Sequence, residues 1–597
     1  MTSPDDLPPR APDGPADTRA PADAEVPWQR LHPLSVWAGA AATGAALVPA
    51  AIVGTIVLVV MGQYPWAFLP LPGAIAFLTL VTYLDLMRLR ATRYRVTDER
   101  MEVRSGIVAK SYRSIPRERV RSVDVAAPLF VRLFGLCSVT VGTGEKVGAG
   151  GSDQLQLVYV TAAQGEDLRR DLLNRRGARR TGPEAATDAA GPTGDARTEE
   201  AAGEVELARL VPAWLAYAPA TAATLGVGLG AIAALLGLNS QTGGVGWDWV
   251  SGRLGLPTPE EMSSFVMARL LAVVPLSLLA LLVSGVVVLT LAAVETWWNY
   301  RLTREPDGTV RLRRGLLTSV SLSVEERRLN GVTLHEPFVL RSVGGADVRA
   351  VATGLSAADE KKTSAKSRLS PGMPVARARA LAAALMREED SPLDVPLTAH
   401  PRSALRRRFT RAGVATVLGA SAAAALAWAH GLANETWWEH AIRAEQEFAP
   451  IPLATPVLRT TPAWGWAVLA VAFGVAAFWY ALGSYRGLGH GLHPRYLVVR
   501  QGMAARDTVT LERSAVIGWR ITRSPFQRWA GLADVAATTA AGSGMYAATD
   551  VGLGQGLAWA DAAVPGLLEP FLVREGEEAD GRAPESREPE GGGSRDR

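Results

Sequence analysis

Apolar and polar positions divide the chain into three blocks. Each block opens with two long apolar runs and continues with segments in which apolar and polar residues alternate. The first pair of runs is Leu34 to Met61 and Trp66 to Leu84, separated by Gly62-Gln-Tyr-Pro65. The second pair is Trp214 to Leu238 and Phe265 to Val294, and the third is Val414 to Leu432 and Trp464 to Leu482. Each run is long enough to cross a hydrocarbon core of about 30 Å as a helix. The pattern therefore predicts six transmembrane helices in three hairpins.

The segments that follow the hairpins repeat one another. Gly106 and Gly135 are matched by Gly315 and Gly344, and by Gly502 and Gly531, always 29 positions apart. Each second Gly has an Arg three residues before it: Arg132, Arg341 and Arg528. Apolar residues fall in the same register without gaps, as in Val120/Leu329/Val516, Val123/Val332/Trp519 and Val139/Val348/Val535. Three copies in fixed register indicate a repeated domain. Within copy one, alternation predicts strands at Arg95 to Glu102, Ser111 to Ile115, Val120 to Val125, Ser138 to Thr143 and Leu155 to Val160. A short proline-started turn precedes each second Gly, which takes positive φ there. Amphipathic helices are expected at Ala163 to Arg175 and near Val375 to Met386. The unit is an antiparallel β domain of roughly 80 residues closed by a helix.

The run Ser114-Ile-Pro-Arg-Glu-Arg-Val-Arg-Ser-Val-Asp-Val, followed by Pro128-Leu-Phe-Val-Arg-Leu-Phe-Gly-Leu, resembles the bacterial pleckstrin-homology (PH)-like domain of YdbS/YdbT-type membrane proteins. The resemblance extends to all three copies. It implies that each is a small, partly open β-barrel capped by a C-terminal helix and attached to a pair of membrane helices. The family usually carries Gln where this chain has Arg121, Asn330 and Ile517.

The expected fold class is a multi-pass α-helical membrane protein with three cytoplasmic α+β domains. A disordered tail occupies 1–30. Hairpin 1 (34–87) leads to domain one (91–176), and a disordered linker covers 177–204. Hairpin 2 (211–298) leads to domain two (299–388), hairpin 3 (412–484) to domain three (490–573), and a disordered tail covers 574–597. Arg88, Arg90, Arg93, Arg95, Arg100 and Arg104 follow the second helix, and the loops within the second and third hairpins are poor in basic residues. By the positive-inside rule both termini and all three domains are cytoplasmic in a cell-membrane protein.

Composition narrows the function. A net charge of +4 over 597 residues does not signal a nucleic-acid binder. The single cysteine, Cys137, excludes a disulfide framework within the chain. Apart from Arg269, near the start of the run Phe265 to Val294, no Asp, Glu, Lys or Arg lies inside the apolar runs, which argues against a pump or coupled transporter. The seven His make no zinc spacing, and the Gly-rich stretches at 142–152 and 542–544 lack the sequence of a phosphate loop. No catalytic group, metal ligand or cofactor site is expected. The candidate interaction residues are the repeated Arg132, Arg341 and Arg528, together with Arg119 and Arg121 on a basic strand face. A guanidinium in such a place suits an anionic headgroup or a partner carboxylate, or caps local carbonyls. The expected function is a non-enzymatic adaptor or scaffold for protein interaction at the cell envelope, in envelope stress or antimicrobial resistance. Its partners would be membrane lipids and an unidentified membrane or cytoplasmic protein. The alternative is a protein that senses or handles anionic lipid.

Overall fold

The computed structural model of the chain describes residues 27–60, 62–97, 99–106, 110–117, 120, 122–142, 154–169, 204–241, 252–253, 255, 269–353, 367–433, 435–448, 458–459 and 462–571. Three pairs of helices pack as hairpins: Ser35–Val60 with Pro70–Ala91, Thr224–Gln241 with Leu270–Trp297, and Arg402–Leu432 with Ala463–Arg486. Five of the six are long and apolar enough to cross a membrane. The sixth, Thr224–Gln241, starts later than expected. Pro212–Tyr217 forms a 3-10 turn, so the run expected from Trp214 begins its α-helix only at Thr224. Pro219 lacks an N–H to continue that turn, and the Thr224 hydroxyl donates to the Thr221 carbonyl at 2.8 Å. The two helices of this hairpin touch through backbone. A Cβ on Gly228 would lie 1.9 Å from the Leu281 oxygen, and one on Gly285 2.0 Å from the Thr224 oxygen. Small residues permit that approach.

Among the described residues, twenty strands lie outside these hairpins. β1 (Gln29–Arg30) precedes the first hairpin. β2 (Arg93–Val96), β3 (Arg100–Ser105) and β4 (Ser111–Pro116) follow it, and then β5 (Ser122–Ala127), β6 (Leu136–Gly142) and β7 (Gln154–Thr161). β8 (Val205–Arg209) precedes the second hairpin. After it come β9 (Arg301–Arg304), β10 (Thr309–Arg314) and β11 (Ser319–Glu325), then β12 (Leu329–Pro337), β13 (Gly345–Ala352) and β14 (Met373–Pro374). Domain three holds β15 (Gly489–Leu492), β16 (Tyr496–Gln501) and β17 (Ala505–Glu512), then β18 (Gly518–Thr522), β19 (Leu532–Thr538) and β20 (Met545–Gly552). All six repeat glycines have positive φ, from 66° at Gly531 to 114° at Gly106 and Gly315. The short helices Leu129–Leu133, Phe338–Ser342 and Pro525–Trp529 occupy the proline-started turns, and Val375–Met386 and Leu553–Ala563 close domains two and three.

Two expectations need correction. Arg95 to Glu102 is a hairpin rather than one strand. Its polar Thr97-Asp-Glu-Arg turn is closed by the Arg100 N–H donating to the Thr97 hydroxyl at 3.1 Å. The end of the tail expected to be disordered is a strand, because Gln29 pairs with Tyr94 and Trp28 lies under the guanidiniums of Arg104 and Arg95 at 4.2 and 4.8 Å. The end of the linker is likewise followed at once by β8, which pairs with β9. The remainder of both segments, and the C-terminal tail from 572, lie outside the described residues.

The domains are not separate barrels. Each has a three-stranded first half and a second half that face one another across a core, as Leu312, Val324, Val332, Val348 and Leu381 do in domain two. The halves nevertheless belong to different sheets. β5 pairs with β11 in one seven-stranded sheet, and β12 pairs with β17 in one six-stranded sheet. The second half of each domain thus continues into the first half of the next. Both seams use one register: Ser122 faces Val324 and Gly331 faces Leu511, which are equivalent places in the repeat.

Candidate functional site at the inter-domain seams

The seams bring together the repeated polar residues. Arg132, at the end of helix Leu129–Leu133, donates to the Leu316 carbonyl at 3.0 Å, and Arg341, on Phe338–Ser342, donates to the Met503 carbonyl at 3.2 Å. Leu316 and Met503 each follow the turn Gly of the next domain. The repeated Arg is therefore an inter-domain latch, its planar head satisfying a carbonyl that the turn leaves unpaired. Arg528 is the third member. It is exposed, and among the described residues it makes no hydrogen bond or ion pair. Arg119 and Arg121 lie outside the described residues.

The two seams differ in charge. At the second, Glu336 is 4% exposed and accepts two hydrogen bonds from Arg506, at 2.8 and 2.9 Å, while His335 meets Asp507. Burial and then Arg506 hold the Arg341 and Arg500 guanidiniums below their usual range, with Glu336 opposing. At the first seam Ala127 stands in the place of Glu336, Ser319 in that of Arg506 and Val320 in that of Asp507. A cavity of about 550 Å³ opens there, lined by Arg132, Arg209, Arg301, Arg313 and Arg314 beside Val125, Ala127, Trp298 and Tyr300. None of the lining residues is a carboxylate. Burial pushes Arg314 down to about 10, with Arg368 adding to the shift, and Arg313 is lowered by burial and then by Arg311. Arg314 also lies over the Trp297 ring at 4.4 Å.

Sequence reasoning missed a second cluster across the first seam. Arg169, whose side chain is 4% exposed, binds Glu166 at 2.7 Å and Glu305 at 3.1 Å, and Arg311 binds the same two carboxylates at 2.8 and 3.1 Å. Burial opposes ionisation of Glu166, yet Arg169 and Arg311 hold its carboxyl below the usual range. Two cations and two anions balance, so this cluster fastens the helix after β7 to domain two. No repeat signal marks it, because Glu166 and Arg169 serve one seam only. His490 meets His400, Nδ1 to Nε2, at 3.2 Å. Among the described residues no three His, Cys, Asp or Glu gather as metal ligands do.

The array ends in two open edges. β4 is the repeat equivalent of β11 and β17, and β18 of β5 and β12, yet among the described residues β4 and β18 each have a neighbour on one side only. Carrying the common register of the seams to these strands sets Trp519 opposite Ser114, Arg520 opposite Arg113, and Thr522 opposite Ser111. At the second seam the equivalent hydroxyl of Thr510 donates to the Val332 carbonyl at 3.0 Å and accepts from the Val332 N–H at 3.2 Å. At the open edges the Ser114 hydroxyl and the Trp519 indole N–H are both buried and have no hydrogen-bond partner.

A family model described as bacterial PH domain matches residues 43–176, 264–389 and 446–560, more than half of the chain. No curated protein and no solved structure matches it. The three matches each take in one domain of the array, and the chain belongs to the bacterial PH domain family.

Proposed function

We propose that this protein is a non-enzymatic membrane adaptor of the YdbS/YdbT type. It presents three PH-like domains as one unit at the cytoplasmic face and takes up a partner protein by strand addition. The process it would serve is an envelope one, such as stress or antimicrobial resistance. The observation that carries this reading is the pair of open edges, whose equivalents inside the chain are already filled by antiparallel strands. Strand addition supplies affinity through main-chain hydrogen bonds, and open edges that are not used are normally blocked.

Charge selects the partner. In the common register Arg520 faces Arg113 and Arg523 faces Lys110, where the second seam sets Glu336 against Arg506. Like charges directly opposite disfavour pairing by about 0.2–1 kcal/mol each. A second copy of this chain is therefore repelled from β4, and a strand of another protein bearing carboxylates at those places is favoured.

The test mixes two full-length chains in proteoliposomes, one with Ser111→Cys and one with Thr522→Cys, and measures the cross-link between them. The native pair should stay apart. Arg520→Glu with Arg523→Glu in the second chain should produce the cross-link, as should Lys110→Glu with Arg113→Glu in the first. Both reversals together should abolish it again. A cross-link between the native chains would overturn the choice of partner, and its absence from both mixed pairs would overturn the edge itself.

A second reading, recognition of anionic lipid, is favoured by one specific feature: the arginine-lined cavity of the first seam.

A further inference from the structure

We propose that the cavity at the first seam is a binding site for a phosphate-bearing anion. The second seam provides the internal comparison. There, an arginine-rich junction of the same build neutralises itself with Glu336, whose carboxylate is buried and held by two bonds from Arg506. At the first seam the side chain is cut back to Ala127, no other lining residue supplies a carboxylate, and about 550 Å³ stays open among five guanidiniums. Arg301 reaches Glu206 at 3.5 Å on the exposed side, but the cavity wall itself supplies no carboxylate to Arg209 or Arg313. Gathering cations in a half-buried space is costly, because each loses hydration and repels the others. Burial, and after it a neighbouring guanidinium, holds Arg313 and Arg314 below their usual range. Planar guanidiniums bind phosphate oxygens in pairs, so the ligand that best relieves the strain is a phosphate group. The cavity also lies at the foot of a hairpin: Trp298 and Tyr300 follow helix Leu270–Trp297 directly, and Pro212 and Leu215 precede its partner helix. A phosphate at lipid-headgroup level would meet it there.

The choice of a lipid headgroup as the source rests on the lipid reading above. The site itself does not, since free phosphate tests it without any lipid. Nor does it depend on the open edges, which are at other strands.

The experiment uses the full chain in detergent and in nanodiscs of phosphatidylcholine with or without phosphatidylglycerol. Inorganic phosphate is titrated against thermal stability, and retained lipid is counted by native mass spectrometry. Native protein should be stabilised by phosphate, by phosphatidylglycerol, or by both. A response to phosphate alone assigns a soluble phosphate compound, and a response to phosphatidylglycerol assigns the headgroup. Arg209→Gln with Arg313→Gln should weaken the response by about tenfold or more, as expected for loss of charge-assisted hydrogen bonds. Ala127→Glu installs the carboxylate of the second seam. It should make the protein stable without ligand and indifferent to phosphate and phosphatidylglycerol alike. The inference is overturned if native protein responds to neither probe, or if Ala127→Glu and the double Gln variant respond as the native chain does.

Discussion

Glu336→Gln isolates what holds the second seam together. The carboxylate is 4% exposed and accepts from both Nε and Nη2 of Arg506. Two hydrogen bonds to charged groups, at about 1.5–3 kcal/mol each, set the upper bound. The Arg506 side chain is 27% exposed, so water recovers part of that. A glutamine keeps one neutral acceptor in place. The expected loss is ~2–3 kcal/mol, increased by whatever repulsion Arg506 then exerts on Arg341 and Arg500. The assay is amide hydrogen exchange on the protein in nanodiscs. Opening of the seam should expose residues 331–337 and 505–511, which are paired across β12 and β17. A 2–3 kcal/mol change speeds their exchange by ~30- to 160-fold. β19 and β20, and the first seam, should exchange as before. Unchanged exchange at the seam would refute the claim that this ion pair holds it. A uniform rise through domain three would show that Glu336 supports the domain rather than the junction.

Two further outcomes are expected. His490 is pushed down to about 4 by burial and then by His400, and His400 is lowered chiefly by burial, facing Arg408 and Asp550. Both folded-state values lie below the usual ~6.5, so the unfolded chain takes up protons first. Their contribution to the stability of domain three is complete above about pH 6.5 and is lost as pH falls toward about 4. His490→Phe should flatten that part of the profile in pH-dependent melts, and an unchanged slope would contradict the assignment. In hairpin 2, Gly228→Ala and Gly285→Ala force a Cβ onto a carbonyl 1.9–2.0 Å away. Overpacking of this kind should cost about 1–3 kcal/mol in thermal unfolding. Gly230→Ala, which meets nothing within 4 Å, is the control.

The repeat was legible because positive-φ glycines and core-facing apolar residues recur by necessity. Gly315 cannot be replaced without a Cβ 1.8 Å from the Thr318 oxygen, and Val123, Val332, Val139 and Val348 are all fully buried. Helix Val375–Met386 was legible from its apolar stripe, with Leu381, Ala382 and Leu385 turned inward. The seams were not. A half-buried strand alternates in the same way whichever strand lies beside it, so nothing in β5 names β11 as its neighbour. The first-seam cavity was invisible for the same reason: Ala127 acquires its meaning only opposite Ser319 and beside arginines that are distant in sequence. β1 and β8 escaped notice because two to five residues are too few for periodicity to register.

Those two short strands have a mechanical consequence. The chain leaves the first sheet at β1, makes the hairpin and re-enters beside it at β2, and it does the same at β8 and β9. Before the third hairpin, Thr398 bridges to His490 in β15, its N–H donating to the His490 carbonyl at 2.7 Å. The two feet of each hairpin are thus clamped on adjacent strands, about 4.8 Å apart. No slack tether separates lipid from sheet. Because neighbouring domains share one sheet at each seam, a tilt of one hairpin would be carried to the next domain along the paired strands. The shared sheets thereby link the three hairpins through paired strands rather than through loops.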